Sequence, residues 1–316
     1  MDALGELTGG QYAWLTQSLE TMGLVFGALI IIELIYDAIV ARQHRNFKQS
    51  WVDIGVYIGH ELVGRVAGTL IFLWVFSFLK NLQLFRLEVS PLSWVAAIIV
   101  VDFFYYWSHR LEHRVRLGWV WHSVHHSSEE YNGTTALRLS WLEPLVSWYL
   151  LVPVVLLGFD PIQTLVVFQG LLLYQTWLHT KKIGKLKGFD RIFNSPSHHR
   201  AHHGSNESYI DKNYGAMLII WDRIFGTFAE ETDPVVYGLK QPIGTLNPFW
   251  VNFKEAAQIM KDVSRAKNMS HAAWSVLGPP EWNTKDQFCK VAPNSLWRKL
   301  GLDQISKDSS LVAKDE

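Results

Sequence analysis

A chain of 316 residues with 29 Lys and Arg against 29 Asp and Glu has no net charge, so no global basic field argues for nucleic acid as a partner. Its single cysteine, Cys289, excludes an intramolecular disulfide framework and a Cys-rich zinc site, leaving histidine and carboxylate to hold any metal. The 49% hydrophobic content, with 14% aromatic, leans toward membrane association.

Residues 1–20 contain Asp2, Glu6 and Glu20 and no Lys or Arg, unlike the positive start of a secretory leader, and are expected on the non-cytoplasmic side. Residues 21–41 form a nearly continuous apolar run of about twenty, the length needed to span hydrocarbon. Glu33 and Asp37 interrupt it four apart, on one helix face that is expected to turn into the bundle. Arg42, Arg45 and Lys48 follow. A second apolar stretch, 52–79, carries His60, Glu61 and Arg65, the last two spaced for a one-turn ion pair.

Pro91 opens a third run, 91–108, which delivers the chain to His109. Residues 141–157 and 162–178 flank the turn Gly158-Phe159-Asp160-Pro161 and are short for lone spans; they fit a hairpin crossing part of a bilayer. Residues 205–235 are polar around one apolar patch, Met217–Trp221, too short to span. A polar-to-amphipathic helix is expected over 248–268, and a tail, 256–316, is expected to end loosely structured beyond Pro279-Pro280. No internal repeat is present.

Three groups of basic residues fix an orientation. Arg42/Arg45/Lys48, Arg110/Arg114/Arg116 and Lys181/Lys182/Lys185/Lys187/Arg191 share the cytoplasmic side if three crossings and one out-and-back hairpin are made. The histidines travel with them.

Ten of the 13 histidines lie between His109 and His203. They read His109-x-x-x-His113, His122-x-x-His125-His126 and His198-His199-x-x-His202-His203, with His179 between the second and third groups. Residues three and four apart stack on one helix face, so each cluster presents two or three imidazoles to a common point. One octahedral ion cannot use the nine nitrogens of His109, His113, His122, His125, His126, His179, His199, His202 and His203, and the count favours two metals. Hydrolytic zinc needs three or four ligands, whereas two irons that reduce dioxygen explain the number. His198 points about 100° from His199 and reads as an orienting residue or a further ligand. His44, His60 and His271 lack such company and read as structural. Asp102, Glu112, Glu129, Glu130, Asp211 and Asp222 are candidates to orient the second ring nitrogens.

These boxes resemble the fatty acid hydroxylase/sterol desaturase superfamily, and His122-Ser-Val-His-His-Ser-Ser-Glu-Glu-Tyr-Asn132, Thr135-Ala-Leu-Arg138, Pro196-Ser-His-His-Arg-Ala-His-His-Gly204 and Tyr209-Ile-Asp-Lys-Asn-Tyr-Gly215 are similar to its alkylglycerol monooxygenase branch. The resemblance implies an all-α integral membrane protein, a multi-span helical bundle over residues 21–255 with a cytoplasmic histidine-rich diiron domain. It implies two Fe ions held by the nine histidines above, no catalytic residue beyond those ligands, and O2-dependent insertion of one oxygen atom into a lipid C–H bond. The implied partners are a membrane lipid, O2 and an electron donor, tetrahydrobiopterin or another external reductant. Arg114 stands where the animal pattern places a Glu. Two other readings are a sterol or fatty-acid desaturase using the same site, and a non-catalytic metal- or lipid-binding membrane protein.

Overall fold

The computed structural model describes residues 13–39 and 46–282. The expectations for residues 1–12, for His44 with Arg42 and Arg45, and for 283–316 lie outside the described residues. Among the described residues every regular element is helical, apart from two isolated bridges, Phe193–Leu218 and Gly204–Tyr237.

α1 (Ala13–Ile39) exposes Leu24, Ile31, Ile32, Ile35 and Ile39, each more than half accessible. Its charges turn the other way. Asp37 accepts from Lys182 Nζ at 2.7 Å, and Glu33 Oε2 accepts from the Gly133 amide at 2.7 Å. The two carboxylates therefore draw α1 onto the interior, as their spacing predicts, and leave aliphatic side chains outward.

α2 (Phe47–Val63) runs through a π-helical turn, Gly64–Gly68, into α3 (Thr69–Leu79). Residues 47–68 and 73–82 are bent by 46°, so the apolar stretch 52–79 is not one straight rod. Arg65 pairs with Glu61 at 3.2 Å, the predicted one-turn pair. α4 (Pro91–Arg114) starts with Pro91 at its first position and a reciprocal cap in which the Ser93 amide donates to Ser90 Oγ and the Ser90 amide to Ser93 Oγ. The helix continues past the apolar run 91–108 through Arg114 and carries His109 and His113 on its last turns, the helical placement their spacing predicts. By length and composition α1 and α4 can each cross a membrane, and the bent α2–α3 pair makes a third if it is one span.

The first arm of the hairpin differs from expectation. Residues 141–157 are not one helix but α6 (Glu143–Val146), a 3₁₀ segment Ser147–Leu151, and α7 (Val152–Leu156). Pro144 and Pro153 sit in the first turns of α6 and α7, where a missing amide is tolerated but a continuous helix is not. The second arm is regular: α8 (Pro161–Thr176) is capped by Asp160, whose Oδ1 accepts from the Ile162 and Gln163 amides. Between the arms Gly158 holds φ 103°, and a Cβ there would sit 2.7 Å from the Phe85 carbonyl oxygen.

α5 (Arg116–His126), α9 (Pro196–His202), α10 (Ile220–Ile224), α11 (Pro248–Ser264) and α12 (Met269–Leu277) complete the described chain. One apolar core joins Phe76, Ala97, Val101, Leu151, Val155, Phe168 and Leu171, tying α3, α4, the broken arm and α8 together. A smaller one joins Val52 and Val56 to Val124 and Val251. The boundary expected between residues 255 and 256 falls inside α11. The apolar patch 217–221 docks on α4 through fully buried Asp102, which accepts from the Met217 amide, the Leu218 amide and Trp221 Nε1.

Candidate metal centre

The end of α4 turns back through extended Val115 into α5, and Gly118 permits the close approach, since a Cβ there would lie 2.7 Å from Glu112 Cα. This joint sets His109 Nε2 2.9 Å from His122 Nε2. The hairpin returns the chain at His179, whose Nε2 lies 3.2 Å from His125 Nε2 and 3.1 Å from His199 Nε2. α9 then sets His202 against His109 and His113, and the following His203 against His125 and His126.

The nine imidazoles do not converge on one point. His109, His113, His122, His126 and His202 form one group, and His125, His179, His199 and His203 form another, with the ligand atoms of each group within 4.8 Å of one another. The common-point expectation for each cluster is thus corrected: neighbours such as His125 and His126, or His202 and His203, diverge by about 100° around their helices and serve different groups. His198 joins neither. Its ring packs edge-on against Phe228 at 5.3 Å, its buried Nδ1 has no hydrogen-bond partner, and burial lowers its pKa to about 4. His60 Nδ1 donates to the Ser140 carbonyl oxygen at 2.9 Å and joins neither group.

The outer nitrogens decide what the inner ones present. His109, His202, His179 and His125 place Nδ1 at 2.7, 2.8, 2.9 and 3.3 Å from the carbonyl oxygens of Tyr214, Lys212, Gln175 and Arg138. A carbonyl only accepts, so each Nδ1 carries the proton. Burial holds His179 down to about pKa 4 and His202 to about 3, and puts His125, His126, His199 and His203 well below the usual 6.5, with neighbouring imidazoles adding to it. A neutral ring protonated on Nδ1 leaves a bare lone pair on Nε2. The Nε2 atoms of His125 and His179 therefore face each other lone pair to lone pair, an arrangement that a shared cation relieves. Buried His113 Nε2 and His202 Nε2 have no hydrogen-bond partner at all. The inward N···N separations of 2.9–3.2 Å also match the edge of an octahedron, roughly 3.0 Å for a metal–imidazole bond of about 2.1 Å. The donor set fits a metal.

The predicted orienting carboxylates divide. Glu112 Oε2 stands 3.1 Å from His122 Nδ1, while its Oε1 accepts from Tyr149 and Ser108. Asp211 lies 3.9 Å from His113 Nδ1 and pairs with Arg114. Asp222 acts through the backbone, accepting from the Tyr214 and Gly215 amides and from Thr227 Oγ1; burial raises its pKa to about 6. Asp102 holds the 217–221 patch. Glu129 and Glu130 touch no histidine among the described hydrogen bonds; Glu129 is exposed, and Glu130 accepts from the Asn46 amide.

The orienting groups that residue types do not reveal are main-chain carbonyls. Asp211 and Asn213 adopt φ of 61° and 57°, left-handed values that Asp and Asn tolerate best, and the alternation aims the carbonyls of Lys212 and Tyr214 at His202 and His109. Fully buried Asn213 fixes the turn by donating to the His198 and Ala229 carbonyls and accepting from the Ala229 amide. The Asp-x-Asn spacing in 211–213 was the available signal. Behind His125, buried Arg138 donates to the Val124 carbonyl and Ser127 Oγ and pairs with fully buried Asp53 of α2 at 2.7 Å.

Residues 94–227, which contain all nine histidines, match the family model described as fatty acid hydroxylase. The human protein named alkylglycerol monooxygenase is 48% identical over 184 residues, covering 58% of this chain and 40% of that protein. Ornithine lipid hydroxylase OlsE of Rhizobium tropici is 31% identical over 146 residues, 44% of this chain and 43% of its own length. Human lathosterol oxidase is 25% identical over 194 residues, 60% and 56% of the two chains. The chain thus spans about two fifths of the length of the first relatives it matches. No solved structure matches it.

Proposed function

We propose that this chain, whose residues 94–227 match the fatty acid hydroxylase family model, is a membrane-bound monooxygenase that inserts one oxygen atom of O2 into a C–H bond of an alkylglycerol-type ether lipid. The observation that carries the reading is the pair of imidazole groups, nine buried or largely buried rings with inward Nε2 atoms at the end of a helix long enough to cross a membrane. We assign one iron to each group, His109, His113, His122, His126 and His202 holding the first and His125, His179, His199 and His203 the second. Bound there, the irons supply the reduction of dioxygen, one oxygen atom entering the lipid and the other leaving as water, with two electrons and two protons from an external donor.

The protein's own part is positioning and exclusion. The Tyr214, Lys212, Gln175 and Arg138 carbonyls and Glu112 lock the rings before any metal arrives, so binding costs little reorganisation. Buried Val101, Leu151 and Leu171 pack the apolar core beneath, and the outward aliphatic face of α1 offers an alkyl chain a path along the bilayer.

Residues 21–255 form the membrane domain in this reading, with 1–20 outside and 256–316 as the tail. The basic residues around the histidines, from Arg110 to Arg116 and Lys181 to Arg191, support a multi-pass chain with the centre on the cytoplasmic side. Tetrahydrobiopterin is the proposed electron donor. The test is the protein in lipid bilayers with labelled 1-O-alkylglycerol, reduced tetrahydropterin and O2, followed for aldehyde. Aldehyde release supports the assignment. Turnover with a ferredoxin or cytochrome but with no pterin removes the pterin, and no turnover with any donor removes the ether lipid.

Oxidation of a sterol, by hydroxylation or by desaturation, is the second reading, supported by the match to a protein named lathosterol oxidase. Both outcomes begin with hydrogen abstraction; product mass separates a gained oxygen from two lost hydrogens.

A further inference from the structure

α11 presents three faces when its residues are set out at about 100° each. Val251, Ile259 and Asp262 turn inward, and Arg116 of α5 clamps that face by pairing with Glu255 at 2.9 Å and Asp262 at 2.8 Å. Roughly a third of a turn away lie Phe249, Phe253, Met260 and Val263, with Phe249 53% and Met260 67% exposed. Trp250 is half exposed beside them, and Met269, 86% exposed, extends the patch onto α12. Lys254 and Lys261 occupy the third face, and Lys240, Arg265 and Lys267 are exposed nearby.

The charge is one-sided. Over residues 240–278, all of them described, the only carboxylates are Glu255 and Asp262, and both face Arg116. The open surface of this stretch therefore carries five basic groups and no acidic one. Apolar and aromatic side chains in the open, flanked by cations alone, match a bilayer interface, where rings enter the acyl boundary and ammonium groups meet lipid phosphate. The patch also continues an apolar surface already present. Pro248 packs beside Gly55 of α2, and α2 exposes Trp51, Ile58 and Leu62 at 71%, 56% and 64%.

We propose that α11 and the start of α12 lie in the headgroup layer of the leaflet nearest the histidine centre, with anionic lipid as their partner. The proposal rests on the reading of this chain as a membrane protein. Its consequence is mechanical: Arg116 joins α11 to the first turn of α5, so the interface helix sets the depth at which α5 holds His122, His125 and His126.

The test uses the full chain in vesicles containing anionic lipid, with Cys289→Ser removing the native thiol and an environment-sensitive fluorophore on single cysteines at Met260→Cys, Gln258→Cys and Ile32→Cys. The expected result is quenching of the 260 label by bromine carried on the lipid chains, severalfold stronger than at 258 on the polar side. Triple reversal at Lys261, Arg265 and Lys267 to Glu should move the 260 label toward water in anionic vesicles and leave it unmoved in neutral ones. A 260 label as open to an aqueous quencher as 258, while 32 stays in the acyl region, overturns the proposal alone. If 32 is aqueous too, the membrane reading itself falls. A 260 label shielded from both quenchers means a protein covers the face, which also overturns it.

Discussion

The imidazoles of His126 and His203 stack with centroids 4.4 Å apart and planes 23° apart, although they belong to different groups. The two histidine groups thus share a wall made by neighbouring rings at the ends of α5 and α9. Replacing that wall should disturb both. His126→Ala is expected to lower retained metal, measured by elemental analysis after purification, to about half of wild type or below, and His203→Ala to do the same. Unchanged content in either variant would mean that the ring is a spectator.

Among the described residues Glu112 is the one carboxylate within hydrogen-bond distance of an outer ring nitrogen, 3.1 Å from His122 Nδ1 and held from behind by Tyr149. Such partners fix ring orientation and raise ligand basicity, and losing one weakens metal affinity by about 10–100-fold. Glu112→Ala should release metal to a chelator faster by a factor in that range, and Glu112→Gln, which still accepts a hydrogen bond, should fall between it and wild type. Equal release rates across the series would remove Glu112 from this role.

Asn213 sits in the left-handed region, is fully buried and makes three side-chain hydrogen bonds. Asn213→Ala loses the bonds and adds backbone strain, so destabilisation of roughly 2–4 kcal/mol is expected, read from chemical denaturation. Asn213→Gly relieves the strain alone and should recover part of the loss. If Gly were no better than Ala, the left-handed turn would not be contributing.

Burial pushes His179 to about 4 and His202 to about 3, below the ordinary histidine value of 6.5. Between 6.5 and about 4 the unfolded chain therefore binds more protons than the folded one, and stability must fall as pH falls through that window. Metal-free protein should show a denaturation midpoint that declines steadily below pH 6.5. Metal should postpone the decline, because protons then compete with a bound ion for the same Nε2 atoms. A midpoint that stays level or rises on acidification would contradict neutral, buried imidazoles.

Eight of the nine candidate ligands were legible because helical spacing and residue type both speak for them; the isolated His179 rested on its place at the hairpin's exit and on the resemblance. Their division was not, since His125 and His126 look equivalent in a list and separate only once α4 and α9 approach α5 from different sides. The orienting carbonyls of Arg138, Gln175, Lys212 and Tyr214 leave no trace in residue type, as every residue has one. The inward face of α1 and the Glu61–Arg65 pair followed from four-residue spacing. The break in the hairpin did not follow from hydropathy, which is blind to Pro144 and Pro153, although both prolines stood in view.

The proposed occupancy is two iron ions held by nine histidines. Protein purified from iron-replete cells without chelators should contain about two iron atoms per chain by elemental analysis and lose both in a variant lacking His202 and His199. One metal atom per chain at saturation, or two retained by that variant, would contradict it.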